Sequence, residues 1–258
     1  MSVDLGAITP FVLTLDEEPN IGRVLEGLRW ARRVVLVDSG SHDATIEIAS
    51  SFPNVEIETR RFDSFAGQSN HALVSVDTPW TLALDADYVV PPELVSEIAA
   101  LPDEPVENGF LVPFEYQVLG RKLRRSLYPP RQVLFRKQAG VFEQDGHAHR
   151  VRVWGSIGRL RTPIVHDDRK DLARWLRNQS AYARQEAAKL ADSPIRELGW
   201  VDRLRATMVL GPPAVALYCL FGRGLILDGR AGLYYTAQRA VAETILSLEL
   251  MGARIRGK

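Results

Sequence analysis

The chain has 258 residues, with 32 Lys+Arg balanced by 32 Asp+Glu. That length suits one large domain or a domain with an appendage, and the balanced charge gives no case for nucleic acid as a general partner. A single cysteine, Cys219, excludes a disulfide framework within the chain and fits a reducing compartment.

The start, Met1-Ser2-Val3-Asp4-Leu5, has no basic region ahead of an apolar stretch, so no signal peptide is expected. Ile8 to Leu13 reads as a buried strand, followed by the acidic loop Thr14 to Asn20. Asn20 is a candidate N-cap for a helix carrying Ile21, Val24, Leu25 and Leu28 at helical spacing. Arg33 to Val37 is a second buried strand, and it ends in the turn cluster Asp38-Ser39-Gly40-Ser41-His42-Asp43. A helix over Ala44 to Ser50, a strand over Val55 to Thr59 and a helix over Gln68 to Val76 follow. Trp80 to Leu84 is the next apolar strand, and Asp85-Ala86-Asp87 stands at its carboxyl end. Pro91 and Pro92 open a helix through Ala100, since proline is tolerated in the first turn.

Strand and helix therefore alternate through the first hundred residues or so, which predicts an α/β fold with a mostly parallel sheet. Side chains alternate faces along a strand, so Asp85 and Asp87 would point the same way at the edge where such sheets bind ligands. An isolated pair of this kind is most simply a polar turn. A pair facing a phosphorylated ligand would suit a divalent cation.

Beyond Pro105 the pattern changes. Gly109 to Tyr116, Gln132 to Arg136 and Arg150 to Trp154 read as strands without long helices between them. The stretch from Arg121 to Arg136 is basic, either a solvated face or an anion-facing loop. Asp171 to Leu190 reads as a helix with Leu172, Trp175, Leu176 and Gln179 on one side. The remainder is helical, with breaks at Gly211-Pro212-Pro213 and between Gly222 and Gly232. A final helix over about Ala231 to Ile255 carries a stripe of Leu233, Ala237, Val241, Ile245, Leu248 and Met251, for core packing, a dimer face or a membrane surface. The uncharged apolar stretch from Ala206 to Arg223 is marginal for a span and better suited to an interfacial or buried segment. Arg203, Arg205 and Arg223 flank it, as a peripheral site on an anionic membrane would require.

The combination of Thr14-Leu15-Asp16-Glu17-Glu18, Asp38-Ser39-Gly40-Ser41-His42-Asp43-Ala44-Thr45, Gln68-Ser69-Asn70 and Leu84-Asp85-Ala86-Asp87, each after its strand or on its helix, resembles family 2 glycosyltransferases. The later segments Tyr128 to Arg136, Ile164-Val165-His166 and Leu227 to Leu233 are similar to the lipopolysaccharide-core glucosyltransferase branch. The resemblance implies the GT-A fold over residues 1–168. Residues 1–104 would form the nucleotide-sugar half and 105–168 the acceptor half, with a helical extension over 169–258. It implies an inverting, metal-dependent transfer of a hexose from a nucleotide sugar, chiefly a UDP-sugar, to a hydroxyl of a glycan or lipid-linked glycan. That would place the protein in the cytoplasm, against the inner face of the plasma membrane if the apolar segment meets lipid.

Residue by residue, the resemblance puts Leu15 and Glu17 at the nucleotide base, and Asp38 as acceptor for a uracil-type N–H. Gln68 and Asn70 would face the sugar-nucleotide, and Asp85 the ribose side. Asp87 would bind Mn²⁺ or Mg²⁺, with His166 completing the metal or diphosphate site. Arg131 and Arg136 are candidates to stabilise the leaving diphosphate. The acceptor hydroxyl must lose a proton to a base. Related enzymes carry a His-Glu pair before a Val-x-Val strand, where this chain has Ala148-His149. The base is therefore open among His149, Asp145 and His147. Asp16 stands where Asn is usual, Ser69 where Lys is frequent, and Tyr88 where an acidic residue often follows. A non-catalytic sugar-nucleotide-binding protein is the alternative. A nucleotidyltransferase is disfavoured, because the loop after the first strand is acidic and lacks glycine.

Overall fold

A computed structural model describes residues 3–145, 148–192, 194, 196 and 198–256. The chain divides into two compact units, Met1–Gly120 with Tyr128–Arg169, and Arg121–Leu127 with Lys170–Lys258.

The first unit begins with β1 (Ile8–Thr14), α1 (Ile21–Glu26), β2 (Val34–Asp38), α2 (Thr45–Ser50), β3 (Val55–Thr59), α3 (Phe65–Ser75) and β4 (Trp80–Asp85). A short strand β5 (Tyr88–Val89) and α4 (Pro92–Ala99) follow. Strands β6 (Gly109–Val112) and β7 (Phe114–Val118) split the expected single strand at Pro113, which cannot donate to a ladder. The extended pair β8 (Arg121–Lys122) belongs to the second unit. Returning to the first are β9 (Arg131–Arg136), β10 (Gly140–Asp145), β11 (Ala148–Val153), β12 (Ile157–Arg159) and β13 (Ile164–His166).

Seven strands form the main sheet in the order β12-β6-β9-β4-β1-β2-β3. Strands β4, β1, β2 and β3 are mutually parallel, while β9 runs antiparallel to β4 and β6. Period-two alternation sends residues of one strand to opposite faces. Ile8, Val12, Leu36, Leu82 and Leu84 pack on one face with Val24, Leu25 and Leu28 from the α1 region and Leu94 and Ile98 from α4. Phe11, Val35, Val37 and Ala83 pack on the other with Ala66, Ala72 and Leu73 of α3. Both faces are covered, which is why these strands read as continuous apolar runs.

A second ladder places β13 between β5 and β7, antiparallel to the first and parallel to the second. Its register sets His166 opposite both Tyr88 and Tyr116. Strands β10 and β11 form a hairpin in which Gln144 pairs with His149 and Asp145 with Ala148.

The second unit holds α5 (Leu172–Asp192), α6 (Trp200–Ala206), α7 (Gly211–Leu217) and α8 (Gly229–Ile255). One expected face differs, and another loses only its core-packing alternative. The packed side of α5 is Ala183, Ala187 and Leu190, while Leu172 and Leu176 are exposed. On α8 the expected stripe is largely outward, with Leu233, Val241 and Leu248 exposed and Tyr235, Thr236 and Leu246 buried. In both cases several apolar stripes of one helix satisfied the spacing, and tertiary packing chose between them. Gly232 marks one such contact: a Cβ there would stand 1.9 Å from the Leu225 carbonyl oxygen.

Candidate active site

Parallel register gathers three strand ends on one edge, with Leu13 beside Asp85 and Thr14 beside Asp38. The loops leaving β1 and β2 are bonded to each other. The Asp16 N–H donates to Ser41 Oγ at 2.7 Å, and the His42 N–H donates to Asp16 Oδ1 at 2.7 Å. The Glu17 N–H donates to Thr45 Oγ1 at 2.6 Å. Asp16 has φ of 51°, a left-handed conformation that Asp and Asn tolerate better than most side chains. This accounts for a short polar residue at that position.

Asp38 is buried, and its Oδ2 accepts from the Gly40 and Ser41 N–H groups, each at 2.9 Å. The Ser41 hydroxyl donates to Oδ1. A carboxylate offers about four acceptor positions, and three of them here shape the loop. Gly40, with φ of 100°, makes this turn possible. Glu17 is buried and accepts from Asn20 Nδ2 at 2.9 Å, while Leu15 is exposed. Gln68 Nε2 donates to Ser39 Oγ at 3.2 Å and to the Arg60 carbonyl at 2.9 Å, and its Oε1 is buried without a hydrogen bond.

A cavity of about 440 Å³ opens at this edge, within the range of small-molecule sites. Leu13, Asp85, Tyr88, Arg131, Phe142 and Arg150 are among its lining residues. β4 ends at Asp85, and Asp87 lies in the turn beyond it, so the two carboxylates do not share one strand face as the spacing predicts. They nevertheless act on the same neighbours. Burial pushes the Tyr88 hydroxyl well above its ordinary value, and Asp85, Tyr128 and Asp87 push it the same way. Burial raises Tyr128 too, against the pull of Arg131. The two hydroxyls are hydrogen-bonded to each other, and neither ionises in the neutral range.

Burial opposes the charge on Arg131, but Tyr88, Tyr128, Asp85 and Asp87 together hold its pKa above the ordinary value. Its guanidinium carbon lies 4.7 Å from the Tyr128 ring centre. One cation is thus stacked on an aromatic plane, within electrostatic reach of both carboxylates. His166 is buried among Tyr88, Tyr116 and Tyr128, with ring centres 5.2, 4.6 and 4.7 Å away. Its Nε2 stands 3.3 Å from Asp87 Oδ2. A carboxylate and an imidazole brought together in this way are donor types that a divalent cation accepts. Among the described residues no group of three or more His, Cys, Asp or Glu forms a metal cluster. A two-donor site suits a cation that arrives with phosphate oxygens.

Two expected donor-binding residues are placed elsewhere. Arg136 pairs in register with Trp80 at the start of β4, lies over the Trp80 ring and donates to the Pro105 carbonyl. It is at the edge opposite Asp85, because Arg131 and Arg136 occupy the two ends of β9. Asn70 is engaged by the chain itself: its Nδ2 donates to the Phe142 carbonyl and its Oδ1 accepts from the Phe142 N–H, both at 2.9 Å. It stands in for a neighbouring strand along β10. Asn70→Ala is expected to lower stability by about 2 kcal/mol, two bonds at roughly 1 kcal/mol each. Thermal melting of the variant checks this, and an unchanged midpoint would contradict it. Asp145 and His149 lie in the β10–β11 hairpin beside the lining residue Arg150, with side chains outside the described residues, as is the whole of His147.

The sequence reading did not find Asp167. Fully buried, it follows His166 and accepts from Arg23 Nη1 at 3.1 Å, Arg169 Nε at 2.8 Å and the Gly120 N–H at 3.1 Å. Asn20 Oδ1 accepts from Arg23 Nη2 at 2.7 Å and from the Arg169 N–H at 3.2 Å. This network fastens the end of β13, and with it His166, to α1. The available signal was Asn20 and Arg23 three residues apart on a helix end, ahead of the later Asp167-Asp168-Arg169 run.

Residues 11–159 match the model of glycosyl transferase family 2. The chain belongs to that family. It is a glycosyltransferase with the GT-A fold. A relative, the lipopolysaccharide core biosynthesis glycosyltransferase LpsC of Rhizobium meliloti (strain 1021), is 25% identical over 254 aligned residues, covering 91% of this chain and 88% of LpsC. An uncharacterized glycosyltransferase of Rickettsia bellii (strain RML369-C) is 32% identical over 92 residues, 35% of this chain and 31% of that protein. Among solved structures, S. aureus TarS 1-349 in complex with UDP-GlcNAc aligns with a TM-score of 0.50 at 14% identity, covering 97% of this chain and 92% of that one.

Proposed function

We propose that this glycosyltransferase is an inverting, metal-dependent enzyme that moves a hexose from a UDP-sugar to a hydroxyl of a glycan or lipid-linked glycan of the cell envelope. The observation that carries the reading is the meeting of Asp85, Asp87, His166 and Arg131 at the carboxyl edge of β4. The similarity to a lipopolysaccharide core enzyme supports the acceptor class, and the UDP-GlcNAc bound by TarS supports the donor class.

Asp38, Gln68 and Glu17 shape the nucleoside end, and Asp38 accepts a base N–H. Asp85 faces the ribose side. Asp87 and His166 would hold Mn²⁺ or Mg²⁺, which when bound would supply positive charge against the leaving diphosphate. Arg131 adds a fixed cation aimed at the same developing charge. The acceptor oxygen attacks the anomeric carbon opposite the leaving diphosphate, through an oxocarbenium-like state. His149 or Asp145 takes the hydroxyl proton.

Titration calorimetry with UDP, with and without Mn²⁺, beside a hydrolysis screen over a panel of nucleotide sugars, tests the reading. Cation should tighten UDP binding about tenfold or more, and one donor should be hydrolysed slowly in the absence of acceptor. Cation-independent binding would remove the metal from the proposal. Binding with no turnover of any donor or acceptor would favour a non-catalytic sugar-nucleotide-binding protein.

A further inference from the structure

From Arg203 to Leu227 the chain carries no acidic residue. This stretch folds as the end of α6, α7, a π-turn over Tyr218–Gly222 and a 3-10 turn over Leu225–Asp228. Large apolar side chains stand outward along it. Val209, Leu210, Leu217, Phe221, Ile226 and Leu227 are all about half exposed or more, from 48% to 67%. The segment is anchored all the same, since Cys219 and Leu225 are fully buried and Gly232 of α8 admits the Leu225 carbonyl at close range. A folded backbone is therefore presenting apolar tips. Soluble proteins seldom expose so many large apolar side chains along one short segment without a use for them.

The second observation is the charge at its border. The strap Arg121–Leu127 belongs to the same unit and is pinned to this segment at several points. The Arg124 N–H donates to Asp228 Oδ2 at 3.1 Å, and Arg223 Nε donates to the Ser126 carbonyl at 3.0 Å. The Leu127 N–H donates to the Tyr235 hydroxyl at 3.0 Å. Leu123 and Ser126 point inward, while Arg121, Lys122, Arg124 and Arg125 are exposed. The bordering carboxylate, Asp228, is almost buried and paired with Arg124 at 3.3 Å. In a chain whose formal charge sums to +0, this corner is strongly cationic.

We infer that the apolar tips of Val209–Leu227 and the basic strap Arg121–Arg125 together form a docking face for an anionic lipid bilayer. Apolar side chains enter the headgroup boundary while the cations meet lipid phosphates. Tyr218, half exposed, has the apolar body and polar tip that suit this depth. Among the described residues no helix is long and apolar enough to cross a membrane, so the contact is interfacial. A second copy of the chain is disfavoured as occupant, because a self-complementary contact would bring two cationic straps together. The inference does not depend on the donor-site reading.

Flotation of the full chain with vesicles tests it. One set is pure phosphatidylcholine and the other contains roughly a third phosphatidylglycerol, each at low and high salt. Binding should be at least tenfold tighter to the anionic vesicles at low salt and should weaken as salt rises. Arg121→Gln with Arg125→Gln should reduce it roughly thirtyfold, about fivefold per cation. Phe221→Ser with Leu227→Ser should also reduce it roughly tenfold or more. Both pairs are exposed, so melting midpoints should stay near the parent value and confirm that the fold survives. Equal binding to both vesicle types, or none to the anionic set at low salt, would overturn the inference. So would self-association in light scattering that requires Phe221 and Leu227 in a chain that ignores vesicles.

Discussion

Asp87→Asn is expected to lower donor turnover by roughly 10³-fold. The change keeps the volume of the side chain and removes its charge. It therefore separates metal binding from packing around Tyr88 and His166. Asp87 Oδ2 stands 3.3 Å from His166 Nε2, and an amide would be a much weaker ligand for a hard cation than the carboxylate. UDP affinity measured with Mn²⁺ should fall to the value measured without it, while UDP affinity in chelator stays unchanged. Stability should move by only about 1 kcal/mol, since the Asp167 network holds the end of β13 independently of Asp87. Full turnover with intact cation stimulation in Asp87→Asn would remove Asp87 from the metal site. A matching loss in His166→Ala, without a drop in expression or melting midpoint, would assign both donors to the same ion.

The parallel half of this fold could be read from the chain. β3 was expected at Val55 to Thr59 and is found there, and β1 and β4 each extend one residue past the expected end. Valine-rich runs between acidic loops leave few alternatives when both faces are covered by helices. The later half was harder, because its side chains are assigned by register rather than by local pattern. Arg131 and Arg136 look alike in sequence, and only the pairing of Arg136 with Trp80 sends one of them to the far edge. Asn70 looked like a ligand-facing amide and instead bonds both backbone groups of Phe142, a partner 72 positions away. The aromatic enclosure of His166 depends on β13 lying between β5 and β7, a topology that no local signal encodes. Asp167 was missed for the same reason: its partners Arg23 and Gly120 come from separate parts of the chain.

Arg131→Ala is expected to reduce kcat by roughly 10²–10³-fold with a smaller change in KM. The split follows from timing. Charge on the diphosphate grows as the sugar bond breaks, so a fixed cation is worth more in the transition state than in the ground state. In the proposed role, Arg131 would be held by the Tyr128 ring 4.7 Å away and by the fields of Asp85 and Asp87. Arg131→Lys keeps the charge but loses the planar fork and the stack, so it should recover only part of the rate, about tenfold. A rise in KM with unchanged kcat would show that Arg131 binds donor and transition state alike. Arg136→Ala supplies the contrast. Five steps of about 3.3 Å along β9 separate the Cα positions of the two arginines by roughly 17 Å. Arg136 also has its own partners in the Trp80 ring and the Pro105 carbonyl. Its loss should lower the melting midpoint and leave kcat per folded molecule near the parent value. Equal losses of kcat in the two alanine variants would mean that the leaving group is not bound at the Asp85 edge, and the proposed role of Arg131 would have to be abandoned.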